Sequence, residues 1–183
     1  MDKKLAGSLS FMILGHRCRE CISCSKGNSV RQVHGLPKLV EMFARERGTG
    51  YSVSEMAIER CFSQIDGEIE RRSCFFVAPL VRSEPAGYIL CYDNYPLMYR
   101  NIKNCFYIAE EYVAENMRRT GIYSATLDIV LEEAKKIGKK TVYKEVIYNN
   151  NGARIASLRN GFREVRKADP KAGIDYTLMA RKV

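Results

Sequence analysis

The sequence predicts an α/β fold built on a mixed sheet. Short β-rich runs recur through the chain, and several stretches space their apolar residues as a helix does. One of those stretches lies between two β-rich runs, the arrangement of a crossover. A strand, a helix and a strand in succession demand a parallel pair with a right-handed connection, whereas runs joined by tight turns pair antiparallel. Both kinds of connection occur, so the sheet must be mixed.

Taken in order, NSVRQVH (28–34) reads as a first strand. Pro37 suits a helix start, with Leu36, Leu39, Val40 and Phe43 on one face and Gly48 ending the helix. Ser52 and Glu55 have capping-box spacing and open a second helix through about Ser63. RSCFFVAPLVR and AGYILCYDNY, joined at SEP, predict an antiparallel hairpin, and NCFYIAEEYVA a further strand. Leu127, Val130, Leu131, Ala134 and Ile137 then carry helical spacing up to Gly138. KKTVYKEVIY is the strand that completes the crossover. NGARIASLRN is a short helix, and GFREVRK and GIDYTLMARKV are two last strands.

At 183 residues, 46% of them apolar and 28% charged, the chain suits one domain with a substantial core. No apolar run approaches the ~20 residues of a membrane helix, which argues against a membrane partner. The net charge of +9 points to an anionic partner: nucleic acid, a membrane surface or a phosphorylated cofactor. Seven cysteines, an odd number spread along the chain, argue against a disulfide framework and for the reducing cytoplasm. Lysines before the short apolar stretch of MDKKLAGSLSFMILG resemble an export signal without its cleavage site, and a buried or partner-binding segment fits equally.

Residues 1–27 read as a leader of unknown structure, and 28–183 as the domain. Within the leader, Cys18, Cys21 and Cys24 beside His16 have some zinc-ligand character. A second, separated ligand pair is missing, so the expectation is no metal. Cys61, Cys74, Cys91 and Cys105 sit in apolar runs and read as core.

The stretch VAENMRRTGIYSA (113–125) carries the chemistry. A helix start has unpaired N–H groups and about half a positive charge. Arg118, Arg119 and the flexible Gly121 precede it, and Ser124 lies in its first turn, so a phosphate is the natural guest. With VIYNNNGARIASLRNGF downstream, this stretch resembles the GNAT superfamily of acetyl-CoA-dependent N-acyltransferases. Val113, Arg118 and Gly121 match its V-x-P-x-x-R/Q-x-x-G-x-G/A signature. Asn150, Ala153, Gly161 and Phe162 match its closing N-x-x-A and G-F, and the likeness covers roughly 28–183.

The resemblance implies one domain whose mixed, mostly antiparallel central sheet is splayed at a parallel pair and flanked by helices. It implies acetyl-CoA as co-substrate, its pyrophosphate held by the backbone from Arg118 through Arg119, Thr120, Gly121, Ile122 and Tyr123 to Ser124. The pantetheine arm would lie along the strand ending at Val113, with Asn150 near its amides. Two departures from the pattern carry weight. Tyr123 stands where glycine or alanine is usual, so its side chain must point away from the phosphates. Ser157 stands where a tyrosine often protonates the departing thiolate, and a serine hydroxyl is a much poorer acid.

An amine attacks a thioester only in its neutral form, while lysine-like amines have a pKa of ~10.4, so a carboxylate base is wanted. Glu110 and Glu111 precede the strand's end, and alternation sends them to opposite faces. Glu110, on the face of Tyr112, is the candidate base. Glu111, Tyr112 and Tyr51 are the candidate acceptor-binding residues, Tyr51 because the resemblance puts GTGY (48–51) at the acceptor pocket. The acceptor is an amine, of a small molecule by preference or of a protein, and a homodimer is compatible with this reading.

Two other readings stand beside it. One is an acyl-CoA-binding domain without catalysis, and the other a basic nucleic-acid module using the lysines and arginines at 135–136, 139–140, 154, 159, 163, 166 and 167. The latter positions lack regular aromatic interleaving, which weighs against nucleic acid.

Overall fold

The computed structural model describes residues 9–15, 74–97 and 102–183. The expected strand 28–34, the two helices between 36 and 63, Tyr51 and the cysteine cluster lie outside these residues. The described elements are strands β1 (Leu9–Gly15), β2 (Cys74–Val81), β3 (Glu84–Pro85), β4 (Gly87–Leu97) and β5 (Ile102–Val113), then helix α1 (Ile122–Lys136). Strand β6 (Thr141–Ile147), helix α2 (Asn151–Arg159), β7 (Arg163–Arg166) and β8 (Tyr176–Lys182) follow. Single 3-10 turns occupy Glu115–Met117 and Pro170–Ala172. Hydrogen bonding orders the strands β1-β2-β4-β5-β6-β8-β7, with β3 beside β2. The α/β class holds, and the sheet is mixed as the connections require.

The contacts group into two compact units. One holds the described residues up to Leu90 with Glu110–Leu127, the other Cys91–Ala109 with Asp128–Val183. In the first, β1 runs antiparallel to β2 from Leu9 opposite Val81 to Gly15 opposite Phe75. The apolar stretch of the leader is therefore a strand over residues 9–15. The predicted hairpin is present, and Val81 pairs with Glu84 across Arg82 and Ser83. Those two residues have φ of 52° and 69°, the primed turn whose twist matches its strands. Gly87 serves close approach: a Cβ there would meet the Tyr112 carbonyl oxygen at 2.4 Å. Val81, Ala86 and Ile122 form a buried cluster, packed by Leu9 and Met117.

In the second unit, β5 and β6 are parallel, with Phe106 opposite Val142 and Ile108 opposite Lys144. Strand β8 is antiparallel to both β6 and β7. Val130, Leu131 and Ala134 of α1 are buried, as the helical spacing predicts. Gly138, at φ +78°, closes α1 in a Schellman motif: its N–H bonds Lys135 C=O, and the Lys139 N–H bonds Ala134 C=O. In β6 the residues Val142, Lys144 and Val146 are buried, and the Lys144 ammonium lies 5.6 Å from the Phe162 ring centroid.

Candidate functional site

The site candidates of the first unit gather around the end of β5 and the start of α1. Val113 ends the strand, as expected, and the chain then bends through a 3-10 turn into the helix. Arg119 and Gly121 both take positive φ, 65° and 89°. Such a conformation is routine for glycine and uncommon for arginine, so the turn is held by its surroundings. The Thr120 hydroxyl donates to Met117 C=O at 2.6 Å, and Arg118 Nε donates to Val113 C=O at 3.1 Å. The Arg118 guanidinium also lies 5.9 Å from the Tyr112 ring centroid. The first bond along α1 runs from the Ala125 N–H to Gly121 C=O at 3.1 Å. Gly121 thus occupies the N-cap position, where it offers no side chain to the first-turn amides.

Alternation along β5 separates the two glutamates. Tyr88 donates its hydroxyl to Glu110 Oε2 at 3.1 Å, and the Tyr88 ring lies 6.2 Å from Tyr112 and 5.7 Å from Phe76, stacked on the latter. Phe76, Tyr88 and Tyr112 are all buried, while Glu110 is partly exposed at their edge. Glu111 accepts instead from the Tyr123 hydroxyl at 2.9 Å. The bulky residue of the turn is thereby accommodated, with its polar end on a carboxylate.

In the second unit, Asn150 is the N-cap of α2, and its Oδ1 accepts the Ala153 N–H at 3.0 Å. That bond leaves the Asn150 amide NH₂ as the group able to donate to a ligand. Ser157 is fully buried, and its hydroxyl donates to Ala153 C=O at 2.7 Å. Its proton is therefore engaged within its own helix.

One carboxylate escaped the sequence reading. Glu145 accepts from the Tyr107 hydroxyl at 3.3 Å, and burial pushes its pKa up. Strict alternation in TVYKEVI marks it, since Tyr143 and Glu145 oppose the buried Val142, Lys144 and Val146 face. Of the basic residues considered for nucleic acid, Lys136 pairs with Glu133, Lys139 with Asp93 and Arg154 with Glu164. The Arg154 hydrogen bond holds the Glu164 carboxyl below its usual range. Among the described residues no His, Cys, Asp and Glu group could hold a metal, and no helix is long and apolar enough to cross a membrane.

The family model described as the Acetyltransferase (GNAT) family matches residues 36–162. No curated protein matches the chain. Among solved structures, the RimL ribosomal L7/L12 alpha-N-protein acetyltransferase superposes with a TM-score of 0.70 at 14% identity, over 98% of this chain and 92% of its own. The PaiA N-acetyltransferase of Thermoplasma acidophilum, in complex with coenzyme A, gives 0.63 at 17%, over 95% and 99%. Nourseothricin acetyltransferase gives 0.50 at 17%, over 61% of this chain and 66% of that one. At such identities the likeness to these structures is one of fold.

Proposed function

Because the chain belongs to the acetyltransferase (GNAT) family, we propose that it transfers an acetyl group from acetyl-CoA to a primary amine, with Glu110 as general base. The observation that carries this reading is the β5–α1 junction. There a carboxylate near the strand's end is followed by a helix start capped only by glycine. The residues fit the co-substrate's phosphates. The first-turn amides of α1 and the helix dipole favour an anion, and the missing Cβ of Gly121 lets it approach.

In the proposed reaction the Glu110 carboxylate takes a proton from the acceptor's ammonium, directly or through water. The amine nitrogen forms a bond to the thioester carbonyl carbon, the carbon–sulfur bond breaks, and coenzyme A leaves as thiolate. The acylated nitrogen gives up its second proton through water to the thiolate, because the Ser157 hydroxyl is engaged with Ala153 C=O. The partly exposed Glu110 carboxylate suits a cationic acceptor, since it attracts an ammonium.

A small-molecule amine is the favoured acceptor; the neighbours named for nourseothricin and for ribosomal L7/L12 acetylation span small-molecule and protein targets. A cytoplasmic place and a homodimer belong to the same proposal, while residues 9–15 of the leader join the sheet as β1. The test is a screen of amine acceptors with acetyl-CoA, following free thiol, with wild type and Glu110→Gln side by side. The variant should turn over ~10²–10⁴-fold more slowly, the share of a positioned general base. A variant as fast as wild type would remove Glu110 from the mechanism.

A further inference from the structure

We propose that the Tyr123–Glu111 hydrogen bond is a positioning clamp on the phosphate-binding turn, so that Glu111 serves the coenzyme and not the acceptor. This deepens the reading above and rests on it. Glu111 is two residues from the end of β5, and Tyr123 is the second residue of α1. Their side chains meet at 2.9 Å across twelve positions of chain, and the bond is partly buried. Within that span lie Arg119 and Gly121, the two residues of positive φ that set the direction of the turn.

Two other ties of the segment do a different task. Thr120 bonds Met117 and Arg118 bonds Val113, which shapes the near half of the turn. Ile122 is fully buried and anchors the start of α1 in apolar packing. Packing of that kind holds the helix by shape, and it carries no directional polar tie from the first turn to β5. A hydrogen bond to a carboxylate is directional and strong, and from Tyr123 it fixes how the first turn is rotated against β5. Rotation decides where the first-turn amides aim, and bonds of this type to a pyrophosphate need donors within ~2.7–2.9 Å. A tyrosine in this turn is therefore a positioning residue, acting through the amides beside it.

The test titrates coenzyme A into the full-length wild type, Tyr123→Phe, Glu111→Gln and the double variant by calorimetry, with thermal melting of each. Tyr123→Phe removes one oxygen, and Glu111→Gln keeps an acceptor of the same shape. Coenzyme A should bind Tyr123→Phe about tenfold more weakly (~1.4 kcal/mol). Glu111→Gln should lose less, because an amide oxygen still accepts, and the double variant should bind no worse than Tyr123→Phe alone. Melting temperatures should stay together. Full affinity in Tyr123→Phe, strictly additive losses, or a melting-temperature drop with affinity kept would each overturn the clamp while leaving the coenzyme reading intact. Failure of wild type itself to bind coenzyme A would overturn the reading beneath it.

Discussion

The two described helices begin in opposite ways. At α2 the N-cap is Asn150, whose Oδ1 accepts the Ala153 N–H, so the helix answers part of its own demand for acceptors. At α1 the corresponding position is Gly121, at φ +89°, which has no side chain to give. Both starts carry the same orphan amides and the same end of a dipole. One meets the need with its own side chain, and the other leaves its amides to an outside oxygen, which on the proposed reading is the coenzyme's phosphate. That reading marks an anion site less by a helix start than by a start that omits its own cap.

Gly121→Val breaks that difference hardest. A β-branched side chain at φ +89° is strained, and its Cβ would stand in the path to the amides, so coenzyme A binding should be lost in calorimetry. Strain alone is separated by Gly138→Val. Gly138 also has positive φ, +78°, but a Cβ there meets nothing within 4 Å. That variant should lose ~1–2 kcal/mol of stability and keep its affinity for coenzyme A. If both variants bind alike, the phosphate site lies elsewhere.

Asn150 sharpens the comparison from the other side. Asn150→Ala should cost ~1 kcal/mol of stability through the lost cap. Asn150→Asp keeps the accepting oxygen, so its melting temperature should match wild type, while its missing NH₂ should weaken coenzyme A if Asn150 holds the pantetheine arm. Unchanged affinity in a stable Asn150→Asp would reduce the residue to a cap.

Much of this was legible in the sequence because it is local. Period-two alternation parted Glu110 from Glu111, helical spacing placed α1 up to Gly138, and the strand–helix–strand order required β5 and β6 to be parallel. Strand β1 was not legible, since LSFMILG is a short apolar run without alternation, equally at home in a strand or an export signal. Nor were Tyr88–Glu110 and Tyr107–Glu145, whose members stand 22 and 38 residues apart. Periodicity reports which face a residue takes and says nothing of what crosses to meet it. The partner of the Ser157 hydroxyl was hidden for a further reason: a serine inside a helix can face a ligand or bond back to its own backbone, and both patterns look the same in sequence.

Ser157→Ala carries the smallest expected effect, and its smallness is the point. The hydroxyl is fully buried and donates to Ala153 C=O, while the Ser157 C=O accepts the N–H groups of Asn160 and Phe162. Alanine keeps all the backbone bonds and is the better helix former by a few tenths of a kcal/mol. The Ala153 carbonyl still has its own helical N–H partner, so no buried acceptor is orphaned. Stability should therefore move by no more than ~1 kcal/mol in either direction. Turnover at saturating acetyl-CoA should fall tenfold or less, a barrier change of at most ~1.4 kcal/mol, since a thiolate leaves without prior protonation. A loss of ~10³-fold or more in a variant that melts like wild type would show the hydroxyl turning from Ala153 to the leaving sulfur. Proton delivery, rather than the Glu110 carboxylate, would then be what this site chiefly supplies.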